Sequence, residues 1–188
     1  MYCDGSWVEV DLGRLRGNVE AIRDSLGGAK LMTVVKADAY GHGLGAMAGA
    51  LSRFGVRHFA VAYAAEAEAV RAAAPEADLI LVLGVVQAAD VPALQKNRIT
   101  PVVVSTEQAR ALSDAAMASG GRLGVHLKLD TGMGRLGFVC PAETEAAAGV
   151  CGLPGLEVRG VCTHFSMVEP DRKPAAARHQ AERFAQAV

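Results

Sequence analysis

The chain has 188 residues, enough for one domain with a sizeable core, and 51% of them are hydrophobic. Its 19 basic and 20 acidic residues leave a formal net charge of −1, and no basic stripe or acidic tail stands out. We therefore expect neither a nucleic-acid nor a membrane partner. The N-terminus has no signal-peptide pattern, and no apolar stretch reaches transmembrane length.

The cysteines include no C-x-x-C pair; they are Cys3, Cys140, Cys151 and Cys162. Together with the five histidines they form no cluster at metal-ligand spacing, so we expect no metal site. Free thiols are the usual state in a reducing cytoplasm. The sequence therefore predicts a cytoplasmic protein.

Strand-like and helix-like segments alternate along the chain after a first short strand predicted at Trp7–Leu12. Apolar and β-branched runs predict six further strands, at Leu31–Val35, His58–Ala62, Leu79–Leu83, Ile99–Val104, Val125–Leu129 and Val158–Thr163. A predicted helix follows each of them, at Gly45–Arg53, Ala64–Ala74, Ala88–Lys96, Thr106–Ser119, Pro141–Cys151 and from about Pro174 to the end. Strand–helix units of such short period predict a parallel sheet with helical crossovers.

Two α/β architectures share this pattern. A doubly wound sheet requires a G-x-G-x-x-G turn after its first strand, and Gly41 to Gly43 supplies only part of one. The candidate chemical residues instead follow three separate strands, and they are Lys36, Arg135 and His164. Active residues at the C-terminal ends of several strands are typical of a (β/α)8 barrel of the TIM type. We therefore predict an incomplete barrel with about six of its eight strand–helix units.

Lys36 ends a predicted buried strand, where a charge is unfavourable unless it has a task. Desolvation would lower its pKa and make the amine a better nucleophile toward a carbonyl, such as the aldehyde of pyridoxal 5'-phosphate (PLP). A lysine that snorkels out at a strand end is the alternative interpretation of this spacing.

Three longer motifs occur along the chain: K-A-D-A-Y-G-H-G at 36–43, H-L-K-L-D-T-G-M-G-R-L-G-F at 126–138 and T-H-F-S at 163–166. Weaker strings lie between and after them: W-V-E-V-D-L at 7–12, F-A-V-A at 59–62, L-V-L-G at 81–84 and Q-x-x-x-F at 180–184. Together these motifs resemble those of the alanine racemase family, and they occur in the same order and at approximately the same spacing. The resemblance implies that residues 1–188 are part of that family's PLP-binding N-terminal barrel domain, without its C-terminal β domain.

The resemblance assigns Lys36 two tasks: it would hold PLP as a Schiff base and, once freed, abstract the α-proton of the D-enantiomer. Tyr40 would donate a hydrogen bond to the PLP phosphate, although a surface tyrosine in a turn fits the residues equally well. Asp38, His42 and the glycines 41 and 43 are expected to shape the turn rather than contact the cofactor.

Arg135 offers a planar two-pronged donor suited to a carboxylate, and the resemblance places it near the substrate carboxylate and the cofactor's phenolic oxygen. The alternative is an arginine in a solvent-facing loop. His164 would pack its ring on the PLP pyridine, the alternative being a hydrogen-bonded core histidine. Many relatives carry an acidic residue slightly after this position; here Ser166 and Met167 follow, and Glu169 or Asp171 could fill that place.

Lys128 alternates along its predicted strand with apolar residues, which puts it on the same face as His126 and Asp130, toward the barrel interior. A bare ammonium is unfavourable there. Some members of the family carbamylate the matching lysine. An ion pair with Asp130 or a neighbouring carboxylate is the alternative.

The resemblance thus implies a PLP-dependent isomerase that interconverts L- and D-alanine. It also implies that the complete protein is a homodimer and that its D-alanine is used for the cell wall. Two alternatives stay open: another PLP-dependent enzyme or PLP carrier of the same barrel class, and an inactive truncated fragment of a racemase. The family's second base is a tyrosine of the β domain, acting across the dimer. We therefore expect the 188-residue chain alone to be inactive, to bind PLP weakly and to associate through its open sheet edges.

Overall fold

The computed structural model describes residues 7–166 and 174–188. The chain divides into two compact units, Met1–Leu83 and Gly84–Val188. In each unit, parallel strands alternate with helices along the chain. Within the described ranges, no helix is both long and apolar enough to cross a membrane.

The first unit contains a parallel sheet of three strands with β2 at its centre. Its elements are α1 (Leu12–Ser25), β1 (Met32–Val34), α2 (Lys36–Gly41), α3 (Leu44–Arg53), β2 (His58–Val61), α4 (Ala64–Ala73) and β3 (Leu79–Val82). Met32 of β1 lies opposite His58 of β2, and His58 lies opposite Leu79 of β3. Phe59, Ala60 and Val61 are buried, as the central position of β2 requires.

The second unit is organised around β5, the longest strand. Its elements are α5 (Val91–Lys96), β4 (Thr100–Val103), α6 (Thr106–Ala118), β5 (Leu123–Asp130), β6 (Phe138–Val139), α7 (Thr144–Gly149), β7 (Leu156–Cys162) and α8 (Pro174–Ala187), with short 3₁₀ turns at Ala88–Asp90 and Val150–Gly152. β4, β6 and β7 all pair with β5 in parallel. The residues of β5 alternate between buried and half-buried, so the strand has one core face and one more accessible face.

Helix α6 shows how a local sequence sets both the start and the buried face of an element. Ser105 is its N-cap, and the Ser105 hydroxyl accepts a hydrogen bond of 3.1 Å from the Gln108 backbone N–H. The Gln108 side chain in turn accepts 2.9 Å from the Val104 backbone N–H at the end of β4. Residues at helical spacing then form the core face, namely Ala109, Leu112 and Ala116, all of them fully buried.

The predicted strand–helix units are all present, with their strands at β1, β2, β3, β4, β5 and β7. The structure adds β6, whose two residues are too few to leave a periodic pattern in the sequence. The helix predicted at Pro141–Cys151 is shorter than expected, because a turn occupies its first residues. Glu143 closes that turn by accepting a hydrogen bond of 2.7 Å from the Val139 backbone N–H.

The strand predicted at Trp7–Leu12 is wrong. Residues 7–11 have no regular secondary structure, and Leu12 begins α1. The alternation of this segment would favour a strand only beside a pairing partner, and Trp7 is 84% exposed. Asp11 instead acts as a helix N-cap, accepting hydrogen bonds from the backbone N–H groups of Gly13 at 2.8 Å and Arg14 at 3.0 Å.

The turn predicted after β1 is present, but its backbone is unusual. Four consecutive non-glycine residues adopt left-handed helical angles, with φ between 52° and 55°, and they are Ala37, Asp38, Ala39 and Tyr40. Left-handed geometry costs an L-residue roughly 1–2 kcal/mol, so this turn must be held by its surroundings. Asp38 contributes by accepting a hydrogen bond of 2.6 Å from the Leu44 backbone N–H, in agreement with its expected role in shaping the turn.

Glu66 provides the second constraint on this left-handed turn. One carboxylate oxygen of Glu66, on α4, accepts a hydrogen bond of 2.7 Å from the Ala37 backbone N–H. The other oxygen accepts from the backbone N–H groups of Ala62 at 2.8 Å and Tyr63 at 3.2 Å. One half-buried carboxylate therefore joins the turn after β1 to the end of β2.

Replacing Glu66 by glutamine should loosen the left-handed turn, because an amide offers one acceptor oxygen where the carboxylate offers two. Loss of one charge-assisted hydrogen bond predicts a fall of about 1.5–3 kcal/mol in the free energy of unfolding, measured by urea denaturation. Hydrogen exchange at the Ala37 amide should also accelerate. Glu68→Gln, an exposed substitution on the same helix, is the control. Equal behaviour of the two variants would show that Glu66 does not hold the turn.

Candidate functional site

Lys36 follows β1 after one intervening residue, Val35, and opens the left-handed turn. It is half-buried, and its neighbour Val35 is only 2% exposed. The predicted strand was expected to be buried throughout, yet Val34 is 41% exposed, so only the residue next to Lys36 lies fully in the core. Lys36 is thus an amine on a rigid turn at the C-terminal end of a parallel strand.

Tyr40 lies in the same turn, and its side chain is 60% exposed. It lines an open cleft of about 850 Å³ in the first unit, which also contacts Val35, Ala39, His42 and residues of α1. Lys36 is not among the residues that line this cleft. The structure therefore places the Lys36 amine and the Tyr40 hydroxyl on one turn, with the Tyr40 ring accessible to a small ligand.

Arg135 lies in a tight turn that follows β5, and Asp130 organises this turn. One oxygen of the buried Asp130 carboxylate accepts hydrogen bonds from the backbone N–H groups of Gly132 at 2.9 Å and Gly134 at 3.1 Å. The other accepts 3.0 Å from the Arg135 backbone N–H. The Arg135 side chain is consequently presented at the surface by a backbone that a single carboxylate fixes.

Gly137 allows this turn to fold back onto β5. Its φ is +118°, and a Cβ at this position would lie 2.5 Å from the Lys128 carbonyl oxygen. Every other residue type would therefore be strained and would collide with backbone. The close approach aligns Phe138 with Leu129, where β6 pairs with β5. Gly137 is thus the reason that the Arg135 turn is compact.

Two opposing effects act on the pKa of Asp130. Burial would raise it, but the hydrogen bonds from the Gly134, Gly132 and Arg135 backbone, with the Met133 backbone, outweigh burial and hold the pKa below its ordinary value. A lowered carboxyl pKa stabilises the folded chain above the ordinary value, and this stabilisation is lost as the pH falls through the folded-state pKa. The turn that carries Arg135 is therefore stable at neutral pH and weakened in acid.

Lys128 lies on β5 directly opposite Cys162 of β7, and it is half-buried. Burial lowers the pKa of Lys128, and the positive charge of Arg135 lowers it further, against the opposing influence of Cys162 and Asp130. Burial also raises the pKa of the Cys162 thiol. Lys128, Arg135 and Asp130 are thus electrostatically coupled, although Asp130 directs both oxygens at backbone donors rather than toward a dedicated ion pair.

His164 lies in the loop that follows β7, and its side chain is exposed rather than part of the core. The His164 backbone carbonyl accepts a hydrogen bond of 3.2 Å from the Gln180 side chain. Within residues 7–166 and 174–188, no three side chains of the His, Cys, Asp and Glu types are grouped as a metal site would require. Some sequence predictions, for Cys3, Met167, Glu169 and Asp171, lie outside the described residues.

Sequence reasoning missed the residues that hold the candidate groups in place, chiefly Glu66, Gln180 and the backbone-binding role of Asp130. Glu66 occupies the first turn of a helix after a strand, a position where an acidic side chain commonly meets backbone N–H groups. The sequence shows Gln180 only as part of a Q-x-x-x-F string. It indicates Asp130 only as a partner for Lys128.

Comparison with known proteins places these features in a family. Residues 10–188 match the family model described as alanine racemase, N-terminal domain. The alanine racemase of Clostridium perfringens (strain ATCC 13124) is 40% identical over 161 residues, covering 85% of this chain and 42% of the relative. That of Syntrophobacter fumaroxidans is 37% identical over 184 residues, covering 97% of this chain and 48% of the relative.

Solved structures agree with this match. The alanine racemase of Clostridium difficile 630 in complex with cycloserine superposes with a TM-score of 0.88 at 32% identity, covering 96% of this chain and 50% of that chain. The Bacillus anthracis alanine racemase with bound L-Ala-P also gives 0.88, at 29% identity, with 99% and 48% covered. This chain therefore spans about half the length of the relatives it matches.

These matches confirm two expectations. The first is the fold class, an α/β barrel of the TIM type that this chain completes only in part. The second is the cofactor, because the matched family is PLP-dependent. The match extends over residues 10–188 and so includes the Lys36 turn, the Arg135 turn and the His164 loop. From residue 10 onward, then, the chain belongs to the alanine racemase family and carries its N-terminal domain.

Proposed function

We propose that this chain is the PLP-binding part of an isomerase that interconverts L- and D-alanine. The observation that carries the proposal is the left-handed turn at 36–41, which fixes the Lys36 amine and the Tyr40 hydroxyl on one short, rigid segment. Such a turn costs folding energy, and strain of this kind is concentrated at functional sites. In this proposal the fixed backbone of the turn holds Lys36 and Tyr40 near one another for a shared ligand.

The donor set of the chain fits PLP. The half-buried Lys36 offers an amine for the cofactor's aldehyde, and the exposed Tyr40 offers a hydroxyl for its phosphate. Arg135 offers a guanidinium for the phenolic oxygen or for a substrate carboxylate, and the His164 ring is accessible for packing on the pyridine. These are the groups that a PLP enzyme supplies, since it binds and orients the cofactor while the cofactor carries the chemistry.

Bound PLP withdraws electrons from the α-carbon of an attached amino acid and so makes the α-proton acidic. In this proposal the Lys36 amine nitrogen removes or returns that proton on one face of the α-carbon. Arg135 binds the substrate carboxylate with its two-pronged donor, and Asp130 keeps the Arg135 backbone in position. Tyr40 orients the phosphate, and the His164 ring limits movement of the cofactor.

Racemisation needs a second base on the opposite face of the α-carbon. We propose a tyrosine from the C-terminal β domain of a second subunit, so that the complete protein is a homodimer. The matched relatives are about twice as long as this chain, which leaves room for such a domain. The proposed setting is the cytoplasm, where the product D-alanine would supply the cell wall.

Two alternatives are retained, another PLP-dependent enzyme or carrier of this barrel class and an inactive truncated racemase fragment. The G-M-G-R-L-G-F segment favours the racemase over the first alternative. Asp130, just before this segment, and Gly137 within it together present Arg135 for carboxylate binding. The Y-G-H-G ending of the lysine motif, at 40–43, favours the racemase over a PLP carrier. An absence of racemisation by the 188-residue chain, together with activity of a longer product of the same gene, would identify the chain as a fragment.

Lys36 should be the residue to which PLP is covalently attached. Borohydride reduction of the PLP-loaded racemase, followed by peptide mapping, should label Lys36. Lys36→Ala should abolish both the label and racemisation, because it removes the cofactor anchor and one base. Lys30→Ala, at an exposed lysine, should leave both unchanged. A label found on Lys30 or Lys128 would contradict the assignment.

Arg135→Lys should impair racemisation more than its conserved charge suggests, because lysine lacks the planar two-pronged donor. Loss of one charge-assisted contact of about 1.5–3 kcal/mol predicts a fall in kcat/KM of roughly ten- to a hundredfold in steady-state racemisation assays. Arg110→Lys, at an exposed position of α6, is the matched control. Parental kinetics for Arg135→Lys would remove Arg135 from the carboxylate role.

Lys128 should accept CO2 to form a carbamate, a reaction that needs the neutral amine. Since burial and Arg135 lower the pKa of Lys128, its neutral form is present at lower pH than that of an exposed lysine. Isotopically labelled bicarbonate should give a protein-bound carbamate signal in NMR that Lys128→Ala eliminates and Lys96→Ala, at an exposed lysine, retains. If the parent protein shows no such signal, a simple ion pair is the better description of Lys128.

A further inference from the structure

We infer that Gln180 is a positioning residue that couples the Arg135 turn to the His164 loop through one buried hydrogen-bond network. The inference deepens the proposed function and rests on it, because it assigns a role to the two loops that carry the proposed substrate and cofactor contacts. Gln180 lies on α8 and is only 4% exposed, an unusual position for a polar side chain.

The Gln180 amide uses both of its donors and accepts two hydrogen bonds. Its nitrogen donates to the Thr131 hydroxyl at 3.3 Å and to the His164 backbone carbonyl at 3.2 Å. Its oxygen accepts from the Ser166 backbone N–H and from the Ser166 hydroxyl, both at 3.0 Å. The His164 carbonyl can only accept a hydrogen bond, and the Ser166 backbone N–H can only donate one. The side chain between them must therefore both donate and accept, which an amide does and an ionised carboxylate does not.

The network continues from Gln180 to the end of β5. The Thr163 hydroxyl donates to the Leu129 backbone carbonyl at 2.9 Å, which uses the one proton of that hydroxyl. The Thr131 hydroxyl lies 2.8 Å from the Thr163 hydroxyl and must therefore donate to it. The donors thus run in one direction, from Gln180 through Thr131 and Thr163 to the Leu129 carbonyl.

The same helix also packs on the turn that carries Arg135. The Arg183 guanidinium, one helical turn after Gln180, donates to the Thr131 backbone carbonyl at 3.4 Å. A Cβ built on Gly132 would lie 3.6 Å from Cγ of Gln180, so this glycine lies against the Gln180 stem. Thr131 and Gly132 immediately follow Asp130, whose carboxylate binds the Arg135 backbone N–H. Movement of Gln180 would consequently reach both loops.

A buried amide with all its partners satisfied is rigid, whereas one that loses them is costly. The described residues contain no buried side-chain nitrogen or oxygen without a hydrogen-bond partner, so the network is complete as it stands. We therefore assign Gln180 to positioning rather than to contact with the reacting atoms. The distance between the proposed carboxylate-binding and cofactor-packing loops would depend on its amide.

The test compares Gln180→Met and Gln180→Glu with the parent racemase. Methionine keeps the length of the side chain but removes every hydrogen bond, and glutamate puts an acceptor against the His164 carbonyl. Gln186→Met, at an exposed glutamine of the same helix, is the control. Thr131→Val, which removes the hydroxyl from the centre of the network, is a second route if the Gln180 variants do not fold, and Thr131→Ser should restore the parental behaviour.

Two readouts are measured, hydrogen exchange of residues 131–139 and 163–166 in the PLP-free protein and steady-state kinetics of the PLP-loaded enzyme. Exchange should accelerate in both segments together, and kcat/KM should fall on the order of ten- to a hundredfold, the effect of a small misplacement of catalytic groups. Acceleration in one segment alone would overturn the coupling. Parental kinetics with both segments loosened would overturn the positioning role of Gln180. If the parent racemase, taken as the longer product of the same gene, neither binds PLP nor racemises alanine, the proposed function fails, while the exchange experiment still decides whether Gln180 couples the loops.

Discussion

The left-handed turn after β1 depends on where its backbone N–H groups find acceptors. An L-residue gains nothing from left-handed geometry, and four in succession require external compensation. Asp38 supplies it from within the segment and Glu66 from the neighbouring strand–helix unit. The backbone that carries Lys36 is therefore held by two carboxylates that need not contact a ligand. The charge-assisted hydrogen bonds around the turn offset the strain of its left-handed backbone.

The second unit repeats this principle with different residues. Asp130 binds the backbone of the Arg135 turn, and Gln180 binds the loop that contains His164. In each case one polar side chain, buried or half-buried, satisfies several backbone groups at the C-terminal end of a strand. Loops that end parallel strands are free to vary in sequence, but a loop that must hold a reacting group needs a rigid support. The supporting residues belong to the fold as much as to the site.

Lys128 illustrates how burial changes chemistry without changing the residue. An exposed lysine is a solvated cation, whereas burial and the nearby Arg135 shift Lys128 toward its neutral amine. A neutral amine can react with CO2, and the resulting anion would suit the arginine that now disfavours the cation. The thiol of Cys162, kept neutral by its own burial, faces the same position from the neighbouring strand. This cluster lies in the part of the chain that matches the alanine racemase N-terminal domain. The chain as a whole spans about half the length of a matched relative.

The sequence by itself determined the order of the strand–helix units, because hydrophobic period and turn residues are local signals. It also indicated the candidate residues Lys36, Tyr40, Arg135 and His164, because they lie in continuous motifs, and their roles stay predictions. Local signals misled at Trp7–Leu12, where alternation without a pairing strand gave way to the N-cap of Asp11. Only the tertiary structure decided the left-handed turn, the clamp by Glu66 and the network of Gln180. The physical reason is that these depend on hydrogen bonds between residues far apart in the chain, such as the 49 positions between Thr131 and Gln180, which no local pattern encodes.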